Sequence, residues 1–234
     1  MGILAATTGP STYWYLTRAT GIVSLILLTL AVVLGVAGAQ RLQTTRLPRF
    51  LVDSTHRTTS LLAVSFLVIH ILTAVLDSYA PISLANAVIP FTGTYRPLWL
   101  GFGAVAFDLL LAITITSLVR RSIGLRLWRG VHWLAYACWP VALLHALGTG
   151  SDVPSTWMLA IGAACLFAVL AAVAARALGE RHLHGRGATV AVATAACFTA
   201  GLAVWLPGGP LGAQWARRSG TPAALLHPTS HKPA

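Results

Sequence analysis

The sequence predicts an all-α integral membrane protein, with six transmembrane helices in a bundle and both termini on the outer side. Of its 234 residues, 56% are hydrophobic and only 9% are charged, whereas soluble domains give about a quarter of their residues to charge. Six apolar segments reach the ~20 residues that cross the core of a bilayer. They cover residues 14–39, 54–77, 97–119, 129–148, 156–176 and 187–206.

Local signals predict where the helices begin. Asp53 and Ser54 are residue types that cap helix N-termini, so we expect the second helix to start there. Pro97 suits the first turn of the third helix. In the long linker between these helices, Pro81 and Pro90 bracket the segment ISLANAVI, which predicts a short helix at the outer surface.

The basic residues predict the orientation. Five lie at one end of the spans, namely Arg18, Arg96, Arg217, Arg218 and Lys232. Because cytoplasmic loops carry an excess of Lys and Arg, the other, richer end is expected in the cytoplasm and both termini outside. That end holds eleven basic residues, which are Arg41, Arg46, Arg49, Arg57, Arg120, Arg121, Arg126, Arg129, Arg176, Arg181 and Arg186.

Location and domain organisation are predicted from composition. The chain has 15 Arg and one Lys, which is typical of GC-rich bacterial genes and predicts a multi-pass protein of a bacterial cytoplasmic (inner) membrane. Residues 1–206 are expected to form one six-helix domain. Residues 207–234 are rich in turn formers and are expected to form a loosely ordered outer tail.

Four histidines lie inside the predicted spans. His56 and His70 are fourteen residues apart on the second helix, and His132 and His145 are thirteen apart on the fourth. Helices separated by one span run parallel, so two pairs are expected at matched depths, roughly 20 Å apart at 1.5 Å per residue. Histidine in hydrocarbon is costly and rare, so this pattern indicates a ligand that compensates the cost.

Three interpretations of the histidines remain open at this point. Each pair could clamp a planar macrocycle whose iron is held by two imidazoles, as haem iron is. Alternatively, each histidine is an isolated polar residue that neighbouring helices satisfy. A proton or metal-ion path is the third interpretation, although Asp108 is the only carboxylate that lies deep inside a span.

The angular spacing predicts a distortion in the fourth helix. At 100° per residue, a spacing of fourteen returns within about 40° of the same face, whereas thirteen lands about 140° away. Pro140 lies between His132 and His145 and removes a backbone hydrogen bond. We therefore predict a kink or a tightened stretch that turns both histidines toward the second helix.

The histidine spacing and the six-span layout resemble the ferric reductase-like transmembrane domain. Ferric reductases, NADPH oxidases and the haem-binding membrane subunit of bacterial methionine sulfoxide reductase systems share this domain. The segments YLTRATG, TYRPLWLG and WRGVHWLAYACWPVALLHALG are similar to those of actinobacterial members. The resemblance implies two b-type haems, one held by His56 and His132 and the other by His70 and His145, which carry single electrons across the bilayer.

The resemblance also limits the electron donor. After the last span we expect no flavin or nicotinamide domain of the kind that ferric reductases and NADPH oxidases carry. We therefore expect a quinol, a free reduced flavin or a separate flavoprotein as donor, and an acceptor such as a periplasmic reductase on the outer side. No nucleic-acid partner is expected, because the basic residues occur in short clusters between spans.

Three function classes follow, and no catalytic residue is assigned. The first is a membrane cytochrome b subunit of an oxidoreductase, which passes electrons to the outer side. The second is a stand-alone oxidoreductase that reduces ferric chelates or oxygen, or oxidises superoxide, at the outer haem. The third is a transporter or structural membrane protein without haem.

The charges of other residues near the spans predict their partners. Arg18 and Arg96 are basic residues near the outer ends and are predicted to bind the propionates of the outer haem, although Arg18 equally fits a side chain that reaches the membrane interface. Asp108 is predicted to hydrogen-bond a histidine of the outer pair. His182 and His184, in the loop before the sixth span, have no assigned role.

Overall fold

The computed structural model describes residues 11–40, 49–180 and 185–226, and every regular element in those ranges is a helix. Six segments are long and apolar enough to cross a membrane, which confirms the predicted all-α, six-span architecture. The helices are α1 (Thr12–Ala39), α2 (Arg49–Leu76), α3 (Leu84–Val88), α4 (Pro97–Leu118), α5 (Arg120–Ile123), α6 (Leu125–His132), α7 (Ala135–Thr149), α8 (Thr156–Glu180), α9 (Gly185–Gly208), α10 (Trp215–Arg218) and α11 (Ala223–Leu226).

Two helix pairs form the centre of the bundle. α1 packs along α2, and α4 packs along α6 and α7, which together make the fourth span. α1 also contacts α7 and α8, and α8 packs against α9. Large apolar side chains cover the outside, for example Phe167 and Val204, as a lipid-facing surface requires. The end that holds His70 and His145 is called the outer end below, following the predicted orientation.

The predicted start of the second helix is wrong by about one turn. α2 begins at Arg49, so Asp53 and Ser54 lie inside the helix rather than at its cap. In the added turn, Val52 lies against Gly38 of α1, where an added Cβ would be 3.8 Å from its Cγ1. Packing against a neighbouring helix, more than a local cap signal, determines where a helix extends. Residue types that favour a helix N-cap therefore lie in the interior of α2.

The predicted start of the third span and the predicted short helix before it are both confirmed. Pro97 occupies the first turn of α4, after Arg96 in a left-handed conformation with φ of 42°. The segment between Pro81 and Pro90 contains α3. Its cap is Ser83, whose side chain accepts from the backbone N–H of Asn86 in a reciprocal capping arrangement, which satisfies two otherwise unpaired donors.

The fourth span is interrupted between α6 and α7, which confirms the predicted distortion. The backbone N–H groups of Leu134, Tyr136 and Ala137 donate to carbonyls three residues back, as in a 3₁₀ turn. Such residues turn by about 120° instead of 100°, so the stretch rotates α7 relative to α6. The last of these bonds, from Ala137, lies three residues before Pro140, and a proline ring clashes with the carbonyl four residues earlier, here that of Tyr136.

The segment after Pro207 is more regular than expected. α10 and α11 lie within it, and the indole Nε1 of Trp215 donates to the carbonyl of Gly148 at 3.1 Å. The backbone N–H of Arg96 donates to the carbonyl of Gly220 at 3.0 Å. The chain up to Leu226 therefore packs against the outer ends of α4 and α7. Residues 227–234, like His182 and His184, lie outside the described residues.

Candidate functional site

The four histidines form two facing pairs. The ring centres of His56 and His132 are 6.3 Å apart, with an interplanar angle of 79°. Those of His70 and His145 are also 6.3 Å apart, at 83°. α2 supplies one ring of each pair, and the interrupted fourth span supplies the other. Because the stretch between α6 and α7 is tightened, His132 and His145 can both face α2 although they are thirteen residues apart.

Three of the four imidazoles are anchored by a backbone carbonyl of a neighbouring helix. Because a carbonyl only accepts, Nδ1 carries the proton in each case and Nε2 is the nitrogen left for a metal. Nδ1 donates from His70 to Thr17 at 2.8 Å, from His56 to Ala31 at 2.9 Å and from His145 to Trp99 at 2.9 Å.

A glycine lies four residues after each of these carbonyls, against the same imidazole. An added Cβ would lie 2.9 Å from Cε1 of His70 at Gly21, 3.3 Å from Cε1 of His56 at Gly35 and 2.5 Å from Nδ1 of His145 at Gly103. We call each combination of a carbonyl and the glycine four residues later a carbonyl–glycine notch. Glycine is needed there because any side chain would push the ring away from the helix.

No role was assigned to any of these three glycines from the sequence. A signal was present in the sequence. Gly21 and Gly35 are fourteen residues apart on α1, which equals the spacing of His56 and His70 on α2. Two helices that run side by side with equal spacings bring glycine and histidine together at both levels.

His132 is held differently. Its Nδ1 is buried and has no hydrogen-bond partner among the described residues. Instead the indole of Trp128 lies against its ring, with centres 5.0 Å apart and an interplanar angle of 30°. Trp128 Nε1 in turn donates to the hydroxyl of Ser117 on α4 at 3.2 Å.

A cavity of about 790 Å³ surrounds the outer pair. Its walls include both outer histidines and the two glycines of their notches, and it extends to Arg18 and Arg96. Ligand pockets in proteins enclose ≈ 300–1,000 Å³, so the space suits a cofactor-sized molecule. Both outer imidazoles thus face a cavity of cofactor size.

Both predicted arginines line this cavity, but each already has protein partners. Arg18 forms an ion pair with Asp152, hydrogen-bonds the hydroxyl of Ser151 and lies 3.9 Å over the ring of Trp14. Arg18 thus ties α1 to the loop that follows α7.

Arg96 is only 5% exposed. Its Nη1 donates to the carbonyls of Gly148 and Thr149, and its Nε donates to the hydroxyl of Thr221. Arg96 therefore joins the end of α7 to the segment before α11.

Tyr95 is a buried phenol in the cavity wall, outside the membrane spans. Burial raises its pKa, and the positive charge of Arg96 partly opposes that shift. A tyrosine with a raised pKa remains a neutral hydrogen-bond donor throughout the physiological range.

The predicted contact between Asp108 and an outer histidine is wrong. Nδ1 of His70 and of His145 bonds a backbone carbonyl, and no hydrogen bond joins Asp108 to either ring in the part of the chain that the structure describes. The carbonyls of α1 and α4 are fixed acceptors at helix contacts and therefore take the position that the sequence suggested for a carboxylate.

The spacing of the rings fits one metal ion between each pair. A metal–imidazole bond is about 2 Å and the ligand nitrogen lies about 1 Å from the ring centre, so two rings on opposite sides of a metal have centres about 6 Å apart. A bare ion takes three or four protein ligands, and no group of three such side chains occurs among the described residues. The pairs therefore suit a metal whose remaining ligands come from a macrocycle.

Comparison with known proteins identifies the family. The family described as ferric reductase like transmembrane component matches residues 20–146, which is more than half of the chain and includes all four histidines. No curated protein and no solved structure matches. The chain is a multi-pass membrane protein that belongs to the ferric reductase-like transmembrane component family.

Proposed function

We propose that the protein carries electrons across a bacterial cytoplasmic membrane through two b-type haems. One lies between His56 and His132, and the other between His70 and His145. Membership of the family indicates a membrane oxidoreductase or electron-transfer function. The observation that carries the finer proposal is a pair of facing imidazoles at each of two levels, with ring centres 6.3 Å apart in both.

The surroundings of the imidazoles support their role as haem ligands. An Nδ1–H bond to a carbonyl fixes the ring plane and raises the basicity of Nε2, and three of the four histidines have such a bond. The glycines Gly21, Gly35 and Gly103 keep the rings close to the supporting helices. A bound haem supplies a reversible one-electron iron couple, which the ligands and the apolar surroundings tune.

Arg18 and Arg96 remain our proposed partners for the propionates of the outer haem. Both line the outer cavity, and guanidinium groups form strong charge-assisted bonds with carboxylates. Arg18 is the better placed of the two for exchange of partners, because Arg96 is buried and holds three protein acceptors.

The electron donor is proposed to act at the inner end and the acceptor at the outer end. A quinol, a free reduced flavin or a separate flavoprotein would reduce the haem of His56 and His132. A periplasmic reductase or another partner would take electrons from the haem of His70 and His145. The distance between the two levels is roughly 20 Å along the helices, and edge-to-edge separation is shorter than that.

A second candidate function is direct reduction of a small acceptor, such as a ferric chelate or oxygen, or oxidation of superoxide, at the outer haem. One observation favours it. The lining of the cavity around the outer pair also includes the polar side chains of Asp77, Tyr79, Asn86, Ser151 and Asp152. These polar side chains would admit a small hydrophilic molecule to the outer haem.

Reconstitution in liposomes tests whether the protein transfers electrons across the membrane. Ferricyanide is trapped in the lumen, reduced flavin or duroquinol is added outside, and the loss of ferricyanide absorbance is followed. We expect a rate well above that of protein-free liposomes, and a return to that background in His70→Ala, which lacks one outer ligand. Haem-loaded protein that transfers no faster than empty liposomes would refute transmembrane transfer.

The same preparation distinguishes the two candidates. Detergent-solubilised protein is reduced stoichiometrically and mixed with a ferric chelate or with oxygen, without any partner protein. Reoxidation within seconds would favour the stand-alone oxidoreductase. Slow reoxidation, accelerated only by a partner, would favour the electron-transfer subunit.

A further inference from the structure

The two histidine pairs have unequal supports. Both imidazoles of the outer pair donate Nδ1–H to a carbonyl in a carbonyl–glycine notch. In the inner pair only His56 does so, whereas Nδ1 of His132 is buried and without a hydrogen-bond partner among the described residues.

The sequence of α4 explains why His132 has no notch. The two notches on α1 are fourteen residues apart, at Gly21 and Gly35. On α4, the residue fourteen positions after Gly103 is Ser117. A side chain therefore stands where a second glycine would be needed for the imidazole to reach the backbone of α4.

Ser117 instead forms a hydrogen bond with Trp128. Its hydroxyl accepts the indole N–H of Trp128 at 3.2 Å. Trp128 precedes His132 by four residues on α6, so the two side chains lie on the same face of the helix, and their ring centres are 5.0 Å apart at 30°. The indole is thus fixed at one end by α4 and covers the imidazole with its plane.

We infer that Trp128, anchored by Ser117, is the positioning residue of His132, and that the two proposed haem sites differ in ligand strength because His132 lacks a hydrogen bond at Nδ1. The inference rests on the proposed function, because it concerns ligands of the proposed haems. A hydrogen bond at Nδ1 strengthens an imidazole ligand. The outer site has two such ligands, while the inner site has one, together with a second that is oriented by stacking alone.

The test uses purified, haem-loaded variants and two readouts besides activity. These are the midpoint potentials from a spectroelectrochemical titration and the largest g value of each oxidised haem in electron paramagnetic resonance. Trp128→Leu removes the stacking plane, and Ser117→Ala removes only the anchoring hydrogen bond. Trp128→Phe removes that hydrogen bond and keeps a smaller aromatic ring. Trp133→Leu is the matched control, since Trp133 is 55% exposed and its ring lies against Tyr136 and Arg176. His70→Ala, which retains only the inner haem, assigns the signals.

We expect Trp128→Leu to shift the g value and the potential of the inner haem and to leave those of the outer haem in place. Trp128→Phe and Ser117→Ala should give smaller shifts of the same signal, and Trp133→Leu none. If Trp128→Leu loses the inner haem altogether, the inference is tested by Trp128→Phe and Ser117→Ala instead. The inference is overturned if Trp128→Phe and Ser117→Ala leave the potential and g value of the inner haem at their wild-type values. It is also overturned if Trp128→Leu does so with two haems bound, or if the signals of the outer haem shift as much as those of the inner haem. A wild-type protein without haem would instead refute the proposed function itself.

Discussion

Gly21, Gly35 and Gly103 determine how closely an imidazole approaches the helix that supports it. The clash that a methyl group would create differs among them, because the closest ring atom would lie 2.5 Å from the added carbon at Gly103, 2.9 Å at Gly21 and 3.3 Å at Gly35. Overpacking of this kind costs about 1–3 kcal/mol where the neighbour cannot move. The three positions therefore form a graded series.

Gly103→Ala and Gly21→Ala are expected to lower the occupancy of the outer haem, with the larger loss at Gly103, while Gly35→Ala affects the inner haem less. The measurement is the haem-to-chain ratio of the purified protein together with the reduced-minus-oxidised spectrum. Alanine otherwise favours a helix over glycine by roughly 0.5–1 kcal/mol, so reduced helix propensity cannot cause a loss.

Gly162→Ala is the control for this series, because an added Cβ there meets no atom within 4 Å. It should keep the wild-type haem content. A Gly103→Ala protein with full haem content and an unchanged spectrum would show that the ring does not depend on the notch.

The histidines could be predicted from the sequence because a polar side chain in an apolar helix is conspicuous. Their supports could not be predicted in the same way. Glycine is frequent wherever membrane helices pack, and a single sequence does not show which helix faces which. The link from Ser117 and Trp128 to His132 could not be predicted, because neither residue type is unusual near the end of a span.

At the scale of helices, the interruption between α6 and α7 sets the register of the fourth span. The 3₁₀ turn at residues 134–137 precedes Pro140 by one turn. A straight helix would place His132 and His145 about 140° apart around its axis. We therefore expect Pro140 to affect the positions of both histidine pairs.

Pro140→Ala restores a backbone donor and removes the clash with the preceding turn. We expect α6 and α7 to approach a continuous helix, so that one of the two haems is bound less fully and its spectrum broadens. Pro207→Ala is the matched control, because Pro207 also lies inside a helix, α9, that carries no histidine of either pair. Equal haem content in both variants would contradict the role assigned to the interruption.

The segment that carries α10 and α11 depends on Arg96. Replacing Arg96 by Leu would leave the carbonyl of Thr149 and the hydroxyl of Thr221 without this donor, while the carbonyl of Gly148 keeps the indole N–H of Trp215. Each unpaired buried group costs about 1–3 kcal/mol. We expect a melting temperature several degrees lower in detergent, measured by thermal unfolding. Arg217→Leu, on the exposed side of the same segment, should leave it unchanged, and a similar loss in both variants would exclude the specific role of Arg96.

Element boundaries were predictable to the extent that local chemistry decides them. Pro97 and the segment around α3 behaved as their sequences indicate, since a proline at a helix start and a reciprocal cap act locally. Asp53 and Ser54 did not, because packing of α2 along α1 extends the helix beyond the local signal. The regular structure before Leu226 was also missed, since it depends on Arg96 and Trp215 meeting the end of α7.

At the scale of the whole molecule, hydropathy alone was sufficient to predict six spans, because a bilayer requires long apolar helices. The family match covers α1 to α7 up to residue 146, which is the part that holds both histidine pairs. α8 and α9 lie beyond it and pack against α1 and each other. We therefore propose that electron transfer takes place in the four-span centre of the bundle.

The most direct test of that assignment is the haem content of the purified protein, measured by the pyridine haemochrome assay together with its redox difference spectrum. We predict two b-type haems per chain in the wild-type protein. Each of the single variants His70→Ala, His145→Ala, His56→Ala and His132→Ala should bind one haem, and a double variant that lacks one histidine of each pair should bind none. A wild-type protein that binds no haem, or that keeps two haems after His70 is replaced, would contradict the account.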